Sequence, residues 1–310
     1  MNRILITGVA GFIGSHIARK FLAEDYHVAG IDDLSGGKIE NIPAGVEFIN
    51  GDLSLEETIA EIPEGYETIL HLAGQSSGEI SFDNPVADLQ KNTISTLNLI
   101  RYGIRNRSKR IVYASSMSVY GSVPDEPVGE QREPRPISCY GIGKLAAEGY
   151  LRVYQSQLPY VALRMFNVYG PGQDLSNLRQ GMVSIYLAQA ISNGHIEVKG
   201  STERFRDFIF IDDVVETWWR SATYPDVSNR IINVGTGRRT TVRELLEKIC
   251  AEIPGCDYFV KGSTPGDQSG IYADIRELNR TLGINCFSNL EKGLSAFITW
   301  AKDDINKSKC

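Results

Sequence analysis

The chain of 310 residues is short of cysteine, histidine, positive charge and long apolar runs, and each shortage closes off a class of function. Its five cysteines, Cys139, Cys250, Cys256, Cys286 and Cys310, are scattered without any Cys-x-x-Cys, so neither a disulfide framework nor a zinc site is expected. The four histidines, His16, His27, His71 and His195, show no ligand spacing, are read as packing or surface residues, and leave no metal expected. With 32 basic against 38 acidic residues, the formal charge is −6 and the pI about 5.4, which argues against nucleic acid or an anionic membrane as partner. No apolar run approaches the roughly 20 residues of a membrane-spanning helix. The chain opens on a strand-like run instead of a charged-then-apolar leader, so a cytoplasmic location is the expectation.

What is present is a Gly-rich turn in an informative place. Ile4-Leu5-Ile6 leads into TGVAGFIG at 7 to 14, then an amphipathic stretch, then Tyr26 to Ile31: strand, turn, helix, strand. Gly8 and Gly11 allow the backbone to turn sharply and approach a pyrophosphate at the positive end of a helix beginning near Phe12, and Gly14 lets that helix pack close to the sheet. The second strand ends at Asp32-Asp33, where a carboxylate suits adenosine ribose hydroxyls and repels a 2′-phosphate, favouring NAD over NADP.

Further apolar runs at Val46 to Ile49, Glu67 to Ala73, Arg110 to Ala114 and Val161 to Met165 alternate with helical patterns at Leu53 to Glu61, Pro85 to Arg105 and Tyr140 to Gln157. This alternation predicts an α/β fold with a doubly wound parallel sheet, and ligands beyond the carboxyl ends of its strands. Asp52-Leu53, Ala73-Gly74-Gln75, Ser115-Ser116 and Phe166-Asn167-Val168 fall at such ends. In SCYGIGK, Tyr140 and Lys144 stand four apart, so on a helix they share a face and the ammonium would favour the ionised phenol, making it a usable base.

TGVAGFIG, IDDLSGG, GDLS, HLAG, SSMSVYG, YGIGK, RMFNVYGPGQ, RFRDFIFIDDV, INVGTG and PGDQSGIYADI, in this order over residues 4 to about 276, resemble an extended short-chain dehydrogenase/reductase of the nucleotide-sugar epimerase and dehydratase group. The resemblance implies an NAD-binding Rossmann domain at 1–169 with returning segments near 205–236, a smaller substrate lobe from 170–204 and 237–310, a nucleotide-diphosphate sugar as substrate, and a homodimer through the helices near 85–105 and 140–157. It makes Tyr140 the base, Lys144 its partner and nicotinamide-ribose ligand, and Ser116 the hydroxyl that holds the sugar. NAD would be lined by Gly8, Gly11, Phe12, Ile13, Gly14, Asp32, Asp33, Asp52, Leu53, Leu72, Ala73, Gly74, Asn92, Ala114, Ser115, Tyr140, Lys144, Phe166 and Val168. The substrate would meet Gln75, Ser116, Asn167, Arg179, Arg206 and Asp267, with Arg206 on the pyrophosphate, where an arginine fork matches phosphate oxygens. The plain alternative for Arg206 is an ion pair with Asp207 or Asp212.

Dehydratases that resemble this chain carry Thr-Asp-Glu before VYG, whereas here the positions are Ser116, Met117 and Ser118. Neither Met117 nor Ser118 can serve as a general acid near neutral pH, which disfavours elimination and decarboxylation and leaves hydride chemistry at the sugar C4. The expected activity is an NAD-dependent 4-epimerase passing through a 4-keto sugar; a C4 oxidoreductase that releases the ketone, and a noncatalytic NAD-binding protein, are the alternatives. Ser263-Thr264-Pro265 stands where galactose epimerases often have a phosphate-directed arginine, and Ile271 where some place an aromatic against the sugar, so the sugar and base stay open. In the second lobe, Thr240 to Ile249 reads as a capped helix, 207–211 and 231–234 return to the first lobe, and the polar tail from Lys302 is expected to fray.

Overall fold

The computed structural model of the protein describes residues 2–262 and 269–307. Six strands, β1 (Arg3–Thr7), β2 (His27–Asp32), β3 (Glu47–Asn50), β4 (Thr68–His71), β5 (Arg110–Ser116) and β6 (Tyr160–Met165), join the strand Arg230–Val234 in one sheet. From the β3 edge the order is β3-β2-β1-β4-β5-β6 and then Arg230–Val234, and every pairing is parallel. A parallel sheet needs both faces covered, which explains why Ile4, Leu5 and Ile6 of β1 are apolar in succession and do not alternate. Ile4 and Ile6 enter one buried cluster with Ile17, Phe21, Val214 and Trp218, while Leu5 points through the sheet into another with Leu99, Ile100, Ala147 and Leu151. The first cluster is roofed by α1 (Phe12–Ala23) and the helix Ile211–Thr223, the second by α4 (Ser95–Arg105) and α5 (Cys139–Tyr154).

Two short helices precede α4: α2 (Glu56–Glu61) and α3 (Pro85–Leu89). The stretch Pro85 to Arg105, expected as one helix, is interrupted by a π-helical turn at Gln90–Ile94 between α3 and α4. Such a turn inserts a residue into the helical ladder and is common beside functional sites. Sequence periodicity misses it because the flanking helices keep their own apolar faces.

The second lobe packs the helices Met182–Asn193, Val242–Glu252 and Leu290–Lys307 around the parallel pair His195–Val198 and Asp257–Val260. Thr241 caps the middle helix reciprocally: its Oγ accepts from Glu244 N at 3.1 Å and its own N donates to Glu244 Oε2 at 2.6 Å. Phe208–Phe210 pairs with β7 (Asn167–Tyr169) in a separate two-stranded sheet, and Ile209 enters the buried cluster of Ile4 and Ile6. Two expectations change here. The polar tail stays helical as far as Lys307, because buried Ala301 and half-buried Trp300 anchor its last turns. Cys250 and Cys256 are not scattered: the turn between helix and strand brings their Sγ atoms to 3.5 Å.

Candidate active site

A cavity of about 680 Å³ opens at the carboxyl ends of β1, β2 and β4, where the sheet order reverses direction. Gly8 (φ +72°) floors it: a Cβ there would lie 2.7 Å from Ala73 N. At Gly14 a Cβ would come within 2.1 Å of Gly8 O, so only glycine lets α1 approach the turn this closely. Gly11 caps α1 without a side-chain bond, leaving first-turn N–H groups for an anion. Asp32 Oδ2 accepts from Ala10 N at 3.0 Å and Oδ1 from Leu34 N at 2.9 Å, which fixes the carboxylate at the cavity wall. Burial raises its pKa, and these two backbone donors oppose the rise. The glycine cradle, helix end and anchored carboxylate fit a dinucleotide. Behind the lining residue Gly74, Asn92 Oδ1 is a buried acceptor without a partner among the described residues, and a Cβ on Gly74 would sit 2.5 Å from it.

Of the cofactor residues expected from sequence, Gly8, Gly11, Phe12, Ile13, Gly14, Asp32, Asp33, Asp52, Leu53, Leu72, Ala73, Gly74, Ala114, Tyr140 and Lys144 line this cavity. Asn92, Ser115, Phe166 and Val168 stand outside its lining. Strand alternation turns Ser115 away from Ser116, and its Oγ donates to Glu148 Oε1 at 2.5 Å. Phe166 packs with Val119, Tyr120 and Ile271, and Val168 lies against the cores of both lobes. Ile271 is thus a core residue, only 1% exposed, and says nothing about the width of a sugar pocket.

Tyr140 and Lys144 project from the first turns of α5, which Ser138 caps by accepting from Gly141 N at 3.1 Å. Lys144 Nζ lies between two rings, 5.1 Å from the Tyr113 centroid and 5.6 Å from that of Tyr140. Ser116 ends β5, and its Oγ accepts from Ser118 N at 3.1 Å. The phenol is not ionised by this setting alone. Burial pushes Tyr140 up to about 12, against which the hydrogen-bonding Ser116 hydroxyl acts, while the charge of Asp88 adds to the rise. Burial also brings Lys144 down to about 8, with Asp88 opposing. Burial therefore dominates both groups, and the group that favours the ionised phenol here is Ser116, not the expected lysine.

Among the substrate residues, Gln75 lines the cavity. Asn167 starts β7 and has a buried Oδ1 without a partner. Arg206 is buried, its Nη1 donates to Phe205 O at 2.8 Å, and burial followed by the nearby Arg204 charge lowers it to about 10. Its suspected surface partner Asp207 is committed elsewhere, accepting from Thr236 N and Oγ1, Gly237 N and Ala273 N. Arg179 is ion-paired on the protein surface, its Nε donating to Glu79 at 3.0 Å and its Nη1 to Asp83 at 2.7 Å. Asp267 and the Ser263-Thr264-Pro265 segment lie outside the described residues.

Three features escaped sequence reasoning. Lys91, in the π-helical turn, closes on Asp33 at 2.5 Å and on Ser35 Oγ at 2.7 Å. Asp88 is a buried carboxylate one helix away from Lys144. The segment 174–180 is latched across the cavity mouth by Asp174 to Lys38, Arg179 to Glu79 and Asp83, and Gln180 to Ser76. None has a sequence signal, since each pairs residues 50 to 140 positions apart or lies on a helix of ordinary composition.

The family model for the NAD dependent epimerase/dehydratase family matches residues 4–235. A putative UDP-glucose 4-epimerase of Methanocaldococcus jannaschii is 33% identical over 307 residues, spanning 97% of this chain and 99% of the relative. A Thermotoga maritima UDP-glucose 4-epimerase solved with UDP-glucose superimposes with a TM-score of 0.92 at 33% identity, covering 98% of this chain and 99% of that one. A Thermus thermophilus UDP-glucose 4-epimerase solved with NAD gives 0.89 at 32% identity, over 97% and 99%. With three quarters of its length inside that family model and the glycine cradle, Asp32 and Tyr140-Lys144 gathered at one cavity, the chain belongs to the NAD-dependent epimerase/dehydratase family of short-chain dehydrogenase/reductase enzymes, and its cofactor is NAD.

Proposed function

We propose that this enzyme interconverts nucleotide-diphosphate sugars that differ at C4, by transient oxidation to a 4-keto sugar. The observation that carries this reading is the grouping of Tyr140, Lys144 and Ser116 at a strand end where Met117 and Ser118 supply no acid. NAD, held by the glycine cradle, Asp32 and Lys144, would supply the hydride chemistry at C4 when bound. Ser116 holds the C4 hydroxyl by hydrogen bond, and Tyr140 Oη takes its proton and later gives it back. Lys144 holds the nicotinamide ribose and keeps positive charge beside the phenol. Asn167, with its unsatisfied oxygen, binds a donor on the sugar or nucleotide, and Arg206 meets the pyrophosphate. The ketone turns about that pyrophosphate between the two half-reactions, so the reaction is redox-neutral. A homodimer in the cytoplasm completes the reading; it is supported by Leu89, Ile94, Ile142 and Val153, which stand exposed on the Pro85–Arg105 stretch and on α5.

The test is proton NMR of UDP-glucose and its N-acetyl and uronic acid analogues incubated with the purified protein, with absorbance followed for NADH. A C4 epimer forming without stoichiometric NADH is expected. Steady release of ketone with NADH, or no exchange at C4 in any sugar, would overturn the proposal.

A further inference from the structure

Lys144 is 4% exposed and no carboxylate among the described residues salt-bridges to it, yet a buried ammonium without compensating charge is strongly disfavoured. Its surroundings are specific. On α5 it has Tyr140; β5 contributes Tyr113; β4 contributes His71, which burial and then the lysine charge hold neutral down to about 3, its two nitrogens meeting Thr7 Oγ1 and Thr96 Oγ1. One turn further along α5, Glu148 is occupied by Ser115 and Arg164. The remaining cation nearby, Lys91, is paired with Asp33. That leaves Asp88, 2% exposed on α3, whose charge acts on Lys144 and whose only hydrogen bond among the described residues comes from Asn92 Nδ2 to Oδ1 at 3.1 Å.

The packing brings Asp88 onto α5 beside the lysine: a Cβ on Gly74 would stand 2.5 Å from Asn92 Oδ1 and 3.4 Å from Lys144 Nζ, and the same Asn92 side chain donates to Asp88. Gly143, the residue before Lys144, lets α5 press onto this segment: a Cβ there would stand 3.2 Å from Asn92 Cβ, 3.4 Å from Asp88 Oδ2 and 3.5 Å from Thr93 Oγ1. Thr93 Oγ1 also donates to Gly143 O at 3.2 Å, tying the π-helical turn to the catalytic helix. We propose that Asp88 is a positioning residue for the proton transfer, the buried counter-charge that keeps Lys144 an ammonium between Tyr113 and Tyr140. The inference rests on the epimerase reading for its purpose but not for its test. The charge of the carboxylate also opposes ionisation of Tyr140, so its value lies in holding the lysine charged, not in acting on the tyrosine directly.

Asp88→Asn is the informative variant because the amide oxygen still accepts from Asn92, removing charge while retaining shape. The pH dependence of trace acetylation at Lys144, read peptide by peptide by mass spectrometry, should show its midpoint moving down by about one pH unit, a tenfold loss of proton affinity. Asp125→Asn, which removes one exposed carboxylate paired with Arg239, should leave that midpoint in place. Asp88→Glu should restore it at least in part, and circular dichroism checks folding of each variant. If the Lys144 midpoint is the same in Asp88→Asn and wild type, or moves equally in Asp125→Asn, the counter-charge role is wrong. A wild-type protein that converts no sugar would defeat the epimerase reading while leaving the titration result intact.

Discussion

Replacing Glu148 by Gln should cost far more than its distance from the cavity suggests. Glu148 sits on α5, two turns after Tyr140, and its carboxylate accepts from Arg164 Nε at 2.9 Å and Nη2 at 2.7 Å on β6, and from Ser115 Oγ at 2.5 Å on β5. Both charged side chains are 3–4% exposed. Glutamine keeps much of the shape but leaves the guanidinium uncompensated, and breaking one side of such a pair costs about 3–5 kcal/mol. Removing both charges is different: in Glu148→Leu with Arg164→Met the loss should shrink to about 1–3 kcal/mol, the cost of the orphaned Ser115 hydroxyl, and adding Ser115→Ala should recover most of that. Urea denaturation at constant m measures each step. Because Ser115 precedes Ser116 and Glu148 fixes α5 on β5, kcat should fall by about tenfold or more in Glu148→Gln through misplacement of Tyr140. A stability loss under about 1 kcal/mol, or a double variant as unstable as the two single losses added, would refute the argument.

Two more outcomes follow from the titratable groups of the cavity. Lys144, ordinarily near 10.5, is brought down to about 8 by burial, so below about 8 it is charged in both folded and unfolded chains and the full desolvation cost weighs on the fold. Between about 8 and 10.5 the unfolded chain holds the extra proton and stability rises with pH. Lys144→Met should therefore stabilise the NAD-free protein at pH 7 by up to about 3 kcal/mol, less what is lost by leaving Asp88 without its cation, while abolishing turnover. Urea curves at pH 7 and 10.5 test this, and an equal effect at both would contradict it. Asp32→Ser removes the carboxylate that faces the ribose and its bonds from Ala10 N and Leu34 N. Calorimetric titration should show NAD binding at least tenfold weaker, about 1.4 kcal/mol. The NADP-to-NAD affinity ratio should rise; an unchanged ratio would remove Asp32 from cofactor selection.

The legible part of this protein is the part written in short-range patterns. Ile4-Leu5-Ile6, the glycine turn, Asp32 and the first turns of α5 are each specified within a dozen residues, and their places in the sheet follow from parallel alternation. Tyr140 and Lys144 share a face because four residues make about one helical turn. What stayed hidden depends on contacts between distant segments. The latch from Lys38 to Asp174 joins residues more than a hundred positions apart, and Arg179, which looked free to meet a phosphate, is taken by Glu79 and Asp83. Ser115 and Ser116 are adjacent and chemically alike, and only the pleat of β5 turns one toward the arginine-glutamate pair and the other toward the phenol. Asp88 left no pattern because a single acid in a helix is normally a solvated residue; the π-helical turn and Gly143 bury it.

The same burial that hid Asp88 gives the site its electrostatic character. With Tyr140 pushed up to about 12 and Lys144 down to about 8, the protein without cofactor holds a protonated phenol beside a lysine close to its own titration point. Neither group is set for proton abstraction by the protein alone, and in the proposed mechanism the positive charge that tips the phenol would come with the bound dinucleotide. On that reading the ionised phenol depends on cofactor occupancy: the proton affinity of Tyr140 falls toward the working range only when a hydride acceptor is in place, which keeps a buried phenolate from forming where it has no reaction to serve. Met117 and Ser118 fit that economy, since an added carboxylate at the end of β5 would raise the phenol further and work against the one proton the site has to move.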